Sequence, residues 1–202
     1  MSETVEKQEE TLDRHYLRQA WLVLFLSVLY AAILVFVDMS LSAKIADNKK
    51  QETYSQIPTL VPGAVSEKTV EHVVIGTDGK PARVLQAFDK EGVPVGWVFA
   101  GNGQGFADAV ELIVGLDPKL EKLTGLYVLN QKETPGLGNY IVDEKFRSQF
   151  VGKSTLEPLL VTKAEPVGNE IKALTGATIS SQSVCDIINA TILKYRDAVS
   201  KL

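Results

Sequence analysis

The chain has 202 residues, 45% of them apolar and 23% charged, with a net charge of −4. That balance suits one compact domain with an appendage and argues against nucleic acid, which calls for a basic footprint. One cysteine, Cys185, excludes an internal disulfide and a cysteine-held iron–sulfur cluster, and two distant histidines, His15 and His72, argue against a metal site, so any redox chemistry would rest on an organic cofactor.

The stretch up to Arg18 is polar and charged. It is followed by AWLVLFLSVLYAAILVFV, Ala20 to Val37, without a single charge. Eighteen residues at helical rise span about 27 Å, roughly one hydrocarbon thickness. Trp21 stands at one end, where an interfacial anchor belongs. The run is apolar all round and too long for a typical signal peptide, which favours a retained membrane anchor over a core helix or a cleaved leader. Lys7, Arg14 and Arg18 upstream balance Lys44, Lys49 and Lys50 downstream. The arginines nearest the membrane lie upstream, which places the N-terminus inside.

The polar segment up to about Ser55 reads as a helical extension or linker. IPTLVPGA, Ile57 to Ala64, carries two prolines and a glycine and is expected to be extended and irregular. Alternating apolar runs broken at Asp78-Gly79 and Glu91-Gly92 then predict strands joined by tight turns. FADAVELIVGLD fits a strand or a short helix, and LTGLYVLNQ is rich in strand formers. Tyr140 to Gly152 is expected to be a helix closing on Gly152, with Phe146, Phe150 and Val151 at helical spacing. LEPLLVTK predicts another short strand. The last segment is a strongly amphipathic helix with Val184, Ile187, Ile188, Ile192 and Leu193 on one face, and Cys185 beside them as a small core residue. Strands with segregated helices give an α+β domain with a mixed or antiparallel sheet. The expected boundaries are an N-terminal segment over 1–18, a transmembrane helix over 19–39, a linker over 40–56 and a domain over 57–202.

Three stretches carry possible chemistry. ALTGATISSQSV places Thr175, Gly176, Ala177, Thr178, Ser180 and Ser181 around the start of the last helix. Free N–H groups and the positive dipole end there suit a phosphate, although a Ser or Thr at such a place is usually only a cap. LNQKETPGLGNYI follows a strand with Pro135, Gly136 and Gly138 in quick succession. It reads either as a plain connecting loop or as a rigid loop that a planar ligand approaches closely. GNGQGF, Gly101 to Phe106, is a poor match to a dinucleotide fingerprint, since it is not GxGxxG after a clear strand with a helix behind it.

In order, VPGA, GQGF followed by an apolar run and GLD, LTGLYVLNQKETPGLG and TGATISS resemble the G subunit of the Rnf ion-pumping electron-transport complexes. They are similar, less closely, to the C subunit of the sodium-pumping NADH:quinone oxidoreductase. The resemblance covers nearly the whole chain, and both families share an FMN-binding domain. It implies an FMN held covalently by a phosphodiester to Thr178, the threonine ending TGAT, made from FAD by a separate flavin transferase. It further implies a site comprising Thr175, Gly176, Ala177 and Ser180 at the phosphate end. Glu133, Thr134, Leu137 and Gly138 would lie near the flavin ring and ribityl chain. Lys172 departs from the pattern: it stands where the family usually carries an aspartate, and the nearest acid is Glu170.

What the resemblance implies is an electron relay inside a membrane complex, with other membrane and iron–sulfur subunits and membrane lipid as partners. The chain would cross the inner (plasma) membrane once and hold its flavin domain outside the cytoplasm. No general acid, base or nucleophile constellation is evident in the sequence, and no metal site is expected. Two other readings stay open at this point, a stand-alone membrane-tethered flavin reductase and a non-redox envelope binding module.

Overall fold

The computed structural model describes residues 2–202, with side chains from Ala20 onward. The N-terminal charges Lys7, Arg14 and Arg18 therefore lie outside the described side chains. The chain divides into two compact units, one up to Lys49 and one over Lys50–Leu202. Helix α1 spans Ser2–Leu60. Its portion from Ala20 on is long and apolar enough to cross a membrane, with a window of mean hydropathy 2.7 and no burial. Ser27 and Ser40 return their hydroxyls to the carbonyls of Val23 and Phe36, at 2.8 and 2.7 Å, so neither leaves an open donor on this apolar surface.

The second unit is built on five strands, Val70–Ile75 (β1), Pro81–Phe88 (β2), Pro94–Gln104 (β3), Ala109–Leu116 (β4) and Leu123–Asn130 (β5). They form an antiparallel meander in the order β1-β2-β3-β4-β5. Gly79 and Gly92, at φ +73° and +87°, make the two tight turns that Asp78-Gly79 and Glu91-Gly92 predict. A short parallel pair, β6 (Leu160–Thr162) and β7 (Glu170–Lys172), lies outside this sheet. A single helical turn, α2, covers Glu144–Arg147, and the final helix α3 covers Thr178–Val199. These elements confirm the α+β class, with an antiparallel sheet, a separate parallel strand pair and packed helices.

Strand alternation sends side chains to both faces, and each face is covered. Val84, Phe99, Leu112 and Val114 pack with Val184, Ile188 and Ile192 of α3. Leu85, Val98 and Ile113 pack with Ile57, Leu60 and Val61 at the end of α1. Fully burying such a side chain contributes roughly 1.5–3 kcal/mol. Glycines set both approaches. At Gly115, a Cβ would stand 2.4 Å from the Leu60 carbonyl oxygen, and its register partner Gly125 would meet Leu60 Cα at 2.9 Å. On the other face, Gly101 and Gly103 would strike Thr191 and Ile187 of α3 at 2.2 and 2.6 Å. The Gly101–Gly103 pair thus lets α3 lie close on β3 and fixes where its first turn falls.

Three sequence expectations are corrected and one open alternative is decided. Ile57–Ala64 is not extended throughout, because α1 continues to Leu60 with Pro58 inside it. Pro58 has no N–H for the Tyr54 carbonyl, and the Ser66 hydroxyl donates to that carbonyl at 2.8 Å instead. Burial of Ile57 and Leu60 holds the turn in place. Tyr140–Gly152 is not one helix. It breaks into a 3-10 turn (Gly138–Val142), the single turn α2 and a second 3-10 turn (Ser148–Phe150), with Asp143 extended between the first two. Phe146 and Phe150 are nonetheless both buried, edge to face at 5.4 Å. Of the two readings open for FADAVELIVGLD, the strand holds, as β4 over Ala109–Leu116. On α3, Leu193 is 74% exposed, and Thr191, Tyr195 and Val199 complete the buried face in its place.

Candidate functional site

The turn before α3 is tightly drawn. The Ala177 N–H bonds the Leu174 carbonyl at 3.0 Å across Gly176, which takes φ +79°. Ser181 locks this turn from inside the helix. Its hydroxyl donates to the Ala177 carbonyl at 3.0 Å and accepts from the Leu174 N–H at 3.0 Å. The residue at the cap position is Ala177, and no side chain caps the helix. The reading of TGAT as a mere cap therefore fails. Thr178 is the first helical residue, half-buried, and its hydroxyl makes no hydrogen bond among the described residues. The first turn of α3 is left with open N–H donors and the positive end of a 22-residue helix.

Beside this turn runs the ETPGLG loop. Glu133 is 4% exposed. Its Oε1 accepts from the N–H groups of Phe106 and Ala107 at 2.8 and 3.1 Å, and its Oε2 accepts from the Ser180 hydroxyl at 2.6 Å. Thr134 offers its carbonyl to the N–H groups of Leu137 and Asn139, which folds the loop back on itself. Farther out, Lys132 pairs with Asp108 at 3.2 Å. The Ala109 N–H, and then Lys132, hold the Asp108 carboxyl below the usual carboxylate range.

These segments enclose a cavity of about 600 Å³. That falls within the roughly 300–1,000 Å³ usual for small-molecule sites. Thr175, Gly176, Ala177, Thr178 and Ser180 line one side, and Glu133, Thr134, Leu137 and Gly138 line another. All nine residues singled out from the sequence thus meet at one place. Phe106, Lys163, Lys172, Ala173, Leu174 and Ile179 complete the lining, and none of them was singled out as a site residue from the sequence. Lys163 and Lys172 bring two ammonium groups, the second ion-paired with Glu165. Phe106, Leu137 and Ile179 are 60, 43 and 58% exposed, so the cavity also offers unpartnered apolar surface.

Residues 105–193 match the model of the FMN-binding domain family. The G subunit of the Na+-translocating ferredoxin:NAD+ oxidoreductase complex of Acetobacterium woodii is 35% identical over 141 residues, covering 66% of this chain and 67% of that one. The chain belongs to this G-subunit family. Its relative in the ion-translocating oxidoreductase complex of Methanosarcina acetivorans, also a G subunit, is 28% identical over 168 residues, 83% of this chain and 87% of its own length. Among solved structures, the C subunit of the Na+-translocating NADH-quinone reductase of Parabacteroides distasonis superposes with a TM-score of 0.64. It covers 79% of this chain and 97% of its own at 18% identity, which speaks for the fold.

In this G-subunit family member the cavity suits a ligand with an anionic end and a planar apolar end. The anionic end fits the uncapped turn of α3 with Lys163 and Lys172 nearby. The planar end fits Phe106, Leu137 and Ile179. A side chain at Gly176 would meet Leu137 Cδ2 at 2.8 Å, so the glycine keeps this corner open. The hydroxyls divide cleanly: Ser180 and Ser181 are spent on protein partners, while those of Thr175 and Thr178 line the cavity and have no hydrogen-bond partner among the described residues. Burial pushes the Cys185 thiol up to about 12, with Asp186 adding to it, so this cysteine is a core residue outside the site.

Proposed function

We propose that this chain is the electron-carrying subunit of a membrane-bound ion-translocating oxidoreductase of the Rnf type, with FMN joined through its phosphate to Thr178. The observation that carries the reading is the free Thr178 hydroxyl on an uncapped helix start inside the 600 Å³ cavity. In attachment, the hydroxyl gives up its proton as Oγ1 takes the FMN phosphorus from FAD and AMP leaves, a step assigned to a separate flavin transferase. The phosphodiester keeps one negative charge. The N–H groups of the first turn of α3, Lys163 and Lys172 would meet that charge. Lys172, standing where the family usually has an aspartate, puts an ammonium group paired with Glu165 on this side of the site.

Bound FMN supplies the electron transfer. The protein's part is to hold the ring against Phe106, Leu137 and Ile179, with Thr134 and Gly138 alongside. The charge-free run Ala20–Val37 tethers the protein as a single span, with the N-terminus in the cytoplasm and the flavin domain outside. There the domain would meet the other membrane and iron–sulfur subunits of its complex. The test is in-gel flavin fluorescence after denaturation, with the chain co-expressed with a flavin transferase. Thr178→Ala is expected to abolish the signal and Ser180→Ala to retain it, because Ser180 is committed to Glu133. A fluorescent Thr178→Ala band would refute the assignment.

A further inference from the structure

Glu133 lines the site, yet its carboxylate is spent on protein donors rather than held out to a ligand. Its carboxylate has three protein donors and, among the described residues, no ion-pair partner. Those donors belong to two segments far apart in sequence, the turn between β3 and β4 and the first turn of α3. Glycines close around it from both sides. At Gly105 a Cβ would stand 2.3 Å from Glu133 Oε1, and at Gly138 one would stand 2.7 Å from Oε2 and 2.6 Å from the Ser180 Oγ. Taking a carboxylate out of water is costly unless its oxygens are satisfied, and here both are. With its oxygens spent on protein donors, Glu133 has a role in arranging the site.

We propose that Glu133 is the positioning residue of the flavin site, a clasp that ties the Phe106 turn to the start of α3. This rests on the reading of the cavity as a flavin site. Phe106 follows Gly105 directly, and its own N–H is one of the bonded donors. Its ring is 60% exposed and lines the cavity, so the clasp sets where that ring stands over the ligand. Ser180 is two residues beyond Thr178, so the same carboxylate also fixes the turn that presents the attachment hydroxyl. A second consequence is electrostatic. One negative charge sits buried in the wall of the site, and it disfavours adding electrons to anything bound beside it.

Glutamine separates the two roles. Its amide oxygen can accept from Phe106 and Ala107, and its NH2 group can donate to the Ser180 oxygen, so the clasp survives while the charge is lost. The experiment uses the full chain in detergent, co-expressed with a flavin transferase, and reads two signals. The first is hydrogen exchange at the Phe106 and Ala107 amides. Glu133→Ala is expected to speed it about tenfold or more, while Glu133→Gln keeps it within about threefold of the parent protein. The second is the reduction potential of the attached flavin, which is expected to be more positive in Glu133→Gln. Unchanged exchange in Glu133→Ala would overturn the clasp, and an unchanged potential in Glu133→Gln would overturn the buried charge. Should Glu133→Ala fail to fold, Ser180→Ala, which opens only one arm, is expected to leave both amides protected, and fast exchange there would overturn the division of bonds. Exchange can be read with or without flavin. A parent protein without flavin therefore counts against the proposed function, and fast parent exchange counts against the clasp.

Discussion

Alanine in place of Gly176 separates the presentation of Thr178 from the stability of the domain. Gly176 sits at φ +79°, and an L-residue there costs roughly 1–2 kcal/mol. Alanine also narrows the unfolded ensemble, which offsets about 0.4–1 kcal/mol of that. Its methyl would stand 2.8 Å from Leu137 Cδ2, the far end of a half-exposed side chain that can swing aside. The net cost is about 1 kcal/mol, or a melting temperature lowered by roughly 2–4 °C for a domain of this size. Gly115→Ala is the counterpart. Its Cβ would lie 2.4 Å from the Leu60 carbonyl oxygen, which is backbone and cannot swing, on the sheet face away from α3. Overpacking of that kind costs about 1–3 kcal/mol or more. Melting curves by circular dichroism and in-gel flavin fluorescence per folded molecule read both variants. Gly115→Ala is expected to melt lower yet carry flavin normally. Gly176→Ala is expected to stay folded and lose flavin several-fold. Normal flavin content in Gly176→Ala would refute the claim that this turn presents Thr178.

Three further outcomes follow, two from particular contacts and one from the charges flanking the apolar run. A fragment beginning at Lys50 is expected to be soluble and to melt above one beginning at Ile57. The shorter fragment loses the Tyr127–Glu52 hydrogen bond of 2.9 Å and the packing of Tyr54, together worth roughly 1–3 kcal/mol, and equal melting would contradict this. Cys185, buried and pushed up to about 12 from an ordinary 9.0, is expected to resist maleimide in the folded protein and react on unfolding. Because its folded value is raised, its contribution to stability is complete below pH 9 and fades as pH rises toward 12. Cys185→Ala should lose that part of the alkaline decline, and an identical decline would remove the argument. A reporter fused after Leu202 is expected to work only outside the cytoplasm, and activity confined to the cytoplasm would reverse the proposed orientation.

The meander was legible because period-two alternation and glycine turns are local signals. Asp78-Gly79 and Glu91-Gly92 mark turns that the chain makes with positive φ at each glycine. Local pattern failed where a distant partner decides. Nothing near Pro58 announces that Ser66 will satisfy the Tyr54 carbonyl, so the helix runs past a residue that ordinarily stops one. Phe146 and Phe150 gave a true burial signal, but ahead of them Asp143 is extended between the first 3-10 turn and α2, and spacing alone does not register that. At the site, the nine residues drawn from ETPGLG and TGATISS line one cavity. Phe106, Lys163 and Lys172 were not singled out as lining residues, because they come from three separate segments, the last of them the end of β7, whose meeting depends on the sheet and α3. The commitment of Glu133 was likewise invisible, since its partners lie 26 to 47 residues away in sequence.

The central claim is a covalent flavin on Thr178, and the most direct measurement is mass spectrometry of the full chain co-expressed with a flavin transferase. The expected result is an intact mass raised by about 440 Da, FMN less one water, with the added mass on the peptide containing Thr178 and none in Thr178→Ala. An unmodified chain under those conditions, or the added mass on Thr175 or Ser180, would contradict it.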